Sequence, residues 1–461
     1  MIAIPNSVLE LAKNTLLTQQ AAIQVIGHNV SNAQTEGYVR QVPVLQPIPG
    51  ATRGPVEATI GNGAIIGGIK RLQNSFLAVQ KDQHMALLGR EKAQYDMLRQ
   101  VETIMTEVGE TGLADSINQL FASFEQVGVD PTSIAARQEV IARAGLVADI
   151  LCGRQENLQD LRQQINEQLG DDVREANRLG REIAALNRKV AEATTDAVRN
   201  DLKGRREAAM TELSRLTGAY AIQQENDQID VLIGGRRLVQ LNEVIELGLE
   251  TDPANPGMQR VVLGSVSDPE GLGGSIQGHI SARDGEVVTY MARLDTLAQT
   301  LADEINALHS AGFDLRGDAG DNFFEYDPDA PASSLNVLSA VADDPHSIAA
   351  SADSAAPGDG SNAFAISQIR AQGLFASGEF NVSEFYAGLI GQIGSDAKAA
   401  AEMVQARESV VNNLSAHYES LSGVNLDEEA ANLLRYQQIY NAATRLVNVS
   451  VKMMDALLAI Q

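Results

Sequence analysis

Tryptophan is absent from this 461-residue sequence, and aromatic residues make up only 4% of it. A chain so poor in large rings leans away from a tightly packed enzyme interior. It leans toward helical rods built on Ala, Leu, Ile and Val, within a hydrophobic content of 44%. There is one cysteine, Cys152, so no disulfide can close within the chain. It falls in a helical pattern and reads as a small buried apolar residue. Positive charge is scarce: 35 Lys and Arg stand against 60 Asp and Glu, a formal net charge of −25. Such a polyanion repels a nucleic-acid backbone and an anionic membrane surface, so neither is expected as a partner. No run approaches the ~20 apolar residues that span a bilayer, and no membrane insertion is expected. A basic leading segment is also lacking, since the first basic residue is Lys13 and Pro5 interrupts the short apolar run before it. That is not a cleaved secretory signal. The expectation is a soluble chain that stays in the cytoplasm or leaves by a route that reads no such signal.

Seven-residue spacing dominates what is present. Leu9, Leu16, Ile23 and Val30 recur every seven residues, and Ala12, Gln19 and Ile26 fill the intermediate positions. This predicts an amphipathic helix with a narrow, coiled-coil-like seam. It fades into "IGHNVSNAQTEGYVRQ", residues 26–41, a loop dense in amides with a glycine before Tyr-x-Arg. Residues 41–71 are rich in Pro, Gly and β-branched types and predict a loop with short strands. Helical periodicity returns from Phe76 to Val108. A long helical tract follows from Pro131 to Ala193, with Pro131 suited to a first turn. Ala144, Leu151, Leu158 and Ile165 hold one heptad phase, and Leu169, Ala176, Ile183 and Val190 hold another, four residues out of step. That shift is a stutter, or a helix break at Gly170. A shorter helix to Leu216 gives way to an alternating segment that turns at Asn226-Asp227 and Gly234-Gly235, both hairpin signals. Val287, Leu294, Leu301 and Leu308 restore the helix, residues 312–360 are irregular and acidic, and helix dominates from Phe364 onward.

The end of the chain repeats the design of its start. Leu426, Leu433, Tyr440, Val447 and Met454 stand seven apart, with Ala430, Gln437, Thr444, Val451 and Leu458 as the second seam position. Asn425 can cap this helix with Glu428 three residues on, and Asp427 and Glu429 favour the positive end of its dipole. Two such seams at the two ends of one chain should pair with each other. Their polar members, Gln19, Gln437 and Thr444, suit a specified partner better than a generic core.

Reactive constellations are harder to find. The six histidines, at 28, 84, 279, 309, 346 and 417, show no i, i+4 ligand pairing. "GNGAIIGG" lacks the Lys-Ser/Thr of a phosphate loop. "DLRGDAGD", residues 314–321, has acidic and glycine spacing faintly like a calcium loop, without the alternating ligands or the terminal Glu. No Ser, His and acid stand out as a triad. No catalytic residue, cofactor site or metal site is predicted.

Residues 26–41 resemble the N-terminal signature of the axial proteins of the bacterial flagellum, the rod, hook and hook-associated proteins. Asn29, Asn32, Ala33, Thr35, Gly37, Tyr38 and Arg40 fall on that signature, while Glu36 stands where proline is usual. "SGVNLDEEAANLLRYQQIYNAATRL", residues 422–446, resembles the C-terminal signature of the hook-associated, hook–filament junction type, and residues 294–324 are similar to that family's inner segment. The resemblance implies a structural subunit and not an enzyme. It would be exported unfolded through the flagellar type III secretion route and assembled at the hook tip. It implies self-association and contact with the hook protein, with a second junction protein and the filament side, and with a small helical export chaperone on the C-terminal helix. The implied subunit contacts are the N-terminal seam with Asn29, Asn32, Thr35, Gly37, Tyr38 and Arg40, and the C-terminal seam from Leu426 to Leu458. Alternatives are another axial subunit, such as a hook or distal rod protein, or an axial scaffold carrying a wall hydrolase in its β-rich middle.

The architecture expected is mainly α, with paired terminal coiled-coil-like helices, a long helical bundle and a smaller β-rich inserted outer domain. Residues 1–75 and 411–461 would form the paired terminal region. Residues 76–218, 283–310 and 364–410 would form the bundle, and 219–282 with 311–363 the outer domain.

Overall fold

The computed structural model describes residues 3–35, 37–49, 61–106 and 112–459. Glu36, the departure from the axial signature, lies outside them, as does Val108. Helix α1 (Ala3–Ser31) leads through the signature loop into an antiparallel hairpin, β1 (Gln41–Pro47) and β2 (Ala64–Arg71). Helix α2 (Ser75–Met105) starts where the Asn74 side chain accepts from the N–H groups of Phe76 and Leu77. After α3 (Leu113–Val129) comes α4 (Ile134–Glu192), an unbroken helix of 59 residues, about 90 Å long. Ser133 caps it by accepting from the Ala136 N–H. Pro131 therefore stands ahead of the helix and not in its first turn. Helix α5 (Asp196–Thr217) stops at Gly218, whose φ of +72° is the left-handed conformation that suits glycine.

Two small antiparallel sheets follow, β3 (Tyr220–Gln223) to β6 (Glu243–Val244) by way of β4 (Ile229–Ile233) and β5 (Arg236–Gln240), then β7 (Leu247–Thr251), β8 (Gln259–Leu263) and β9 (Val266–Ser267). Both expected turns are there. Asn226 and Asp227 take positive φ between β3 and β4, and Gly234 and Gly235 do so between β4 and β5. Helix α6 (Gly274–Ser281) passes through a π turn at Ala282–Glu286 into α7 (Val287–Ala311). The irregular segment holds the short pieces β10 (Phe324–Glu325), α8 (Pro331–Ser334), β11 (Asn336–Val337) and α9 (Ser339–Ala342). Then come α10 (Ser361–Gln368), α11 (Val382–Ser422) and α12 (Leu426–Leu458).

The phase shift along α4 marks where the helix passes from one core to another. Up to Ile165 its stripe packs with α3, α7, α10, the second half of α2 and the first half of α11. From Leu169 onward it packs with α5, α6 and the two sheets. A four-residue shift rotates the apolar stripe without interrupting the backbone, so Gly170 does not break the helix. Two asparagines on the second half of α4 satisfy strand backbone: Asn177 exchanges hydrogen bonds with the N–H and C=O of Leu247, and Asn187 does the same with Ile229.

Residues 311–363 join the helical core, a departure from the expected single outer domain with 219–282. Phe323 and Phe324 are fully buried in that core, edge-to-face with each other and beside Phe124. Asn306 on α7 anchors them by accepting from both of their N–H groups at 2.8 Å. Arg137 on α4, also fully buried, donates to the carbonyls of Pro131, Pro345 and Ile348. These side chains fold the acidic segment back over the end of the bundle. Cys152 is only half-buried, its Sγ 3.1 Å from the Ser333 carbonyl.

His309 gives this region a pH dependence. Its ring is buried against Phe323, with Nδ1 2.6 Å from the Asp321 carbonyl and Nε2 accepting from the Ala349 N–H at 3.0 Å. Burial pushes its pKa down to about 4, against smaller contributions from Asp321 that raise it. The folded state therefore holds the neutral ring while the unfolded chain takes up a proton near pH 6.5. Stability from this group is complete above that value and falls as pH drops through the window from 6.5 to about 4. The loss is about 3 kcal/mol. Denaturant midpoints measured across that window should fall with pH, and His309→Gln should flatten the slope. An equal slope in the variant would assign the pH dependence to other groups.

Candidate functional site

Helix α1 ends beside the first turn of α12, and the two pack lengthwise in antiparallel fashion. The faces they bury are narrow and made of small or polar residues. On α1 these include Ala12, Thr18, Gln19, Ala22 and Asn29, with Val25 and Ile26; on α12 they are Glu429, Ala443 and Ser450. Small side chains let two helix backbones approach closely. The bulky apolar residues are left at the margins or outside. Leu9, Leu16, Ile23, Leu433, Val447 and Met454 are half-buried, whereas Val30, Leu426, Tyr440, Val451 and Leu458 are exposed. Leu434 is 60% exposed, and Leu17, Leu446, Val449 and Met453 are exposed as well.

This corrects the expected seam on α12. The row at Ala430, Gln437, Thr444 and Val451 faces solvent, and the buried row lies one residue earlier, at Glu429, Ala443 and Ser450. A helix with apolar residues around much of its circumference has more than one possible inner face. Close approach at the small-residue row decided between them. The oxygens Gln19 Oε1 and Ser450 Oγ are buried without a hydrogen-bond partner among the described residues.

The signature loop closes the end of this pair. Asn32 Nδ2 donates back to the His28 carbonyl and finishes α1. Thr35 Oγ1 lies 3.4 Å from Asn32 Oδ1, and Gly37 turns the chain with φ +74°. The chain then returns along itself. The Tyr38 hydroxyl donates to Asn29 Oδ1 at 2.9 Å and lies 2.8 Å from His28 Nδ1. Burial, and then the negative charge of Glu429, push the Tyr38 hydroxyl up to about 12, so it stays protonated as a donor. Asn29 is almost wholly buried. It accepts from the Gln41 N–H and donates to the Gln41 carbonyl and to Glu429 Oε2.

Arg40 completes the closure. Its Nε donates to Glu429 Oε1 at 2.7 Å and its Nη1 to Glu428 Oε2 at 2.5 Å. Burial opposes its charge, but the hydrogen bonds to Glu428 and Glu429 outweigh burial and raise its pKa. Glu429 is 2% exposed at its side chain, and both its oxygens are engaged. Asn425 caps α12 as expected, accepting from the N–H groups of Asp427 and Glu428. The Glu428 carboxylate goes to Arg40, so the reciprocal capping box does not form. Asn29, Tyr38 and Arg40 thus direct their polar groups to partners within the chain, Tyr38 locally to Asn29 and His28, and Asn29 and Arg40 to Glu429 across some four hundred residues of sequence. Glu429 is the residue that sequence reasoning missed as a contact. Its acidic pairing with Glu428 reads equally well as a favourable first helical turn.

The β1–β2 hairpin brackets this terminal pair to the rest of the chain. Asn14 and Thr18 of α1 donate to the carbonyls of Asn62 and Ala64. On the other side the Ile69 N–H donates to Asp196 and Asn200 donates to the Ile69 carbonyl, while Arg71 makes a two-pronged pair with Glu207 on α5.

Two groups elsewhere bear on other chemistry. Ser275 Oγ donates to Asp172 Oδ2 at 2.7 Å, and His279 Nδ1 lies 3.2 Å from the same oxygen. The hydroxyl proton is committed to the carboxylate and not to the imidazole, so this is not a nucleophile activated by a base. Asp314 accepts from the N–H groups of Arg316 and Asp318 and from the Arg316 side chain, which organises the acidic turn from within. Among the described residues no helix is long and apolar enough to cross a membrane.

Comparison with known proteins agrees with these features. A family model described as the flagellar hook-associated protein FlgK helical domain matches residues 98–324, and one described as the flagellar basal body rod FlgEFG protein C-terminal matches residues 416–460. Flagellar hook-associated protein 1 of Bacillus subtilis is 25% identical, over 97% of this chain and 96% of its own length. The chain belongs to the flagellar hook-associated protein family. The protein of the same name from Escherichia coli is 23% identical over 99% of this chain and all of its own length. The solved flagellar hook junction protein FlgK from Burkholderia pseudomallei superposes with a TM-score of 0.67 at 16% identity, over 75% of this chain and 100% of that one, a likeness of fold. A structural component of the flagellum with mainly helical architecture is therefore what this family member is. The C-terminal match to rod proteins falls on α12 together with the end of α11, and the helical-domain match spans the end of α2 through α7.

Proposed function

We propose that this chain forms the junction between hook and filament. In this reading it leaves the cell unfolded by the flagellar type III secretion route and assembles at the hook tip. The paired terminal region, residues 1–75 and 411–461, is its axial part, where copies of the chain meet one another, the hook protein below, and a second junction protein and the filament above. A small helical chaperone covers the C-terminal helix before export. The observation that carries the reading is the uncovered apolar face of α1 and α12. Leucine, valine, isoleucine and tyrosine side chains line it, and each gains about 1.5–3 kcal/mol when fully buried. A helix pair that buries small residues inside and leaves large ones outside gains its remaining stability from neighbours. The exposed members Val30, Leu426, Tyr440, Val451 and Leu458 are the proposed subunit contacts, flanked by Leu9, Leu16, Ile23, Leu433, Val447 and Met454. Asn29, Asn32, Thr35, Gly37, Tyr38 and Arg40 hold the pair in shape beside them.

A rod or hook subunit is the second reading, favoured by the C-terminal match to rod proteins. Deleting the chain separates the two. A junction subunit is expected to leave complete hooks without filaments, with flagellin released into the medium. Cells lacking hooks would favour the second reading, and normal filaments would refute both.

A further inference from the structure

We infer that Arg40 and its two carboxylates form a charge-operated latch that sets the angle at which α12 leaves α11. Only Gly423, Val424 and Asn425 separate the two helices. Gly423 is extended, and its N–H donates to the Glu419 carbonyl at 2.7 Å. A Cβ at this position would stand 2.5 Å from that carbonyl oxygen, so the turn depends on the bare backbone. Three residues outside regular structure leave several soft dihedrals between two long helices. Something else must hold their angle.

Arg40 is placed to do so from both sides of the break. Its N–H donates to the carbonyl of Ser422, the last residue of α11, at 2.8 Å. Its guanidinium grips Glu428 and Glu429 in the first turn of α12. Its carbonyl accepts from the Leu72 N–H, two residues before the Asn74 that caps α2. One residue thus joins the end of α11, the start of α12 and the lead-in to α2. The planar guanidinium fixes direction as well as distance, because two carboxylates are held along its fixed donor fork. Release is built into the same geometry. Glu428 is 58% exposed at its side chain and open to screening by salt, whereas Glu429 is 2% exposed. Without the guanidinium, Glu429 is a buried carboxylate left with Asn29 alone, and the relief available is for the first turn of α12 to move toward water. The latch is a property of the single chain and does not rest on where the subunit sits in the flagellum.

The test uses the full-length chain with Cys152→Ser and spin labels at Glu408→Cys on α11 and Asn441→Cys on α12, both exposed. Pulsed dipolar spectroscopy of the natural latch at low salt is expected to show one narrow distance distribution. Arg40→Ala is expected to replace it with a broad one while helical circular dichroism is retained. A narrow, unshifted distribution in a helical Arg40→Ala chain overturns the latch. If that variant does not fold, Glu428→Gln on the exposed side and high salt decide. Broadening in either supports the latch, and no change in both overturns it.

Discussion

A subunit carrying Leu434→Asp is expected to fold as stably as the natural chain and yet leave cells as bare of filaments as a deletion strain. Leu434 is 60% exposed in the free chain, so the substitution removes no buried contact there, and its effect on unfolding should stay within about 0.5 kcal/mol. In the assembly the same position would be covered by a neighbour, and an unpaired carboxylate buried at that contact costs several kcal/mol. Repeated at every copy, a penalty of that size lowers each association constant by well over about a hundredfold. Val451→Asp, on the same helix and also exposed, should behave alike. Ala443→Leu should do the opposite. It overfills the buried seam between α1 and α12 and destabilises the chain itself, by about 1–3 kcal/mol. Filament counts in a complemented deletion strain, read beside unfolding curves of the purified subunits, check all three. Normal filaments on the Leu434→Asp strain would remove this face of α12 from the proposed contact.

Arg137→Ala should be the most damaging single change in the helical core. The side chain is fully buried, and it donates at 2.8 Å to the Pro131 carbonyl and at 2.6 Å to that of Ile348, with a weaker contact to Pro345. Burial lowers its pKa, with Asp314 acting against that effect. Truncation removes the side-chain donor from the Pro131 carbonyl and leaves the Ile348 carbonyl with the Ala350 N–H alone, and it opens a cavity in the core. An acceptor left without a donor costs about 1–3 kcal/mol, and with the cavity and the other weakened hydrogen bonds the total should reach roughly 3–5 kcal/mol. The loss should be local first. Amide hydrogen exchange is expected to quicken at Phe313 and Ser351, whose backbones pair with each other just beyond the segment Arg137 holds. Arg178→Ala, an exposed change on the same helix that breaks only surface pairs with Glu175 and Glu182, should leave both readings unmoved.

By itself, the sequence determined the periodic and the local. The long helix of α4, the turns at Asn226-Asp227 and Gly234-Gly235, the left-handed Gly37 and the Asn425 cap all follow from interactions a few residues wide, where residue type sets backbone preference directly. The phase shift between Ile165 and Leu169 was legible as well, although only the fold showed that it marks the passage from one core to the next. Tertiary structure decided the rest. Leu426, Tyr440 and Val451 obey the same spacing as residues that are covered, and periodicity does not say which of two apolar rows turns inward. That depended on how closely Ala22 and Ala443 let two helices approach. The descent of Phe323 and Phe324 into the helical core depended on Asn306 and on the helices they meet there. The pairing of Arg40 with Glu429 depended on bringing the two ends of the chain together. A charge carries no address in sequence: any of 60 acidic residues could have answered Arg40. Glu429 does so because α1 and α12 lie side by side, and that proximity belongs to the folded chain alone.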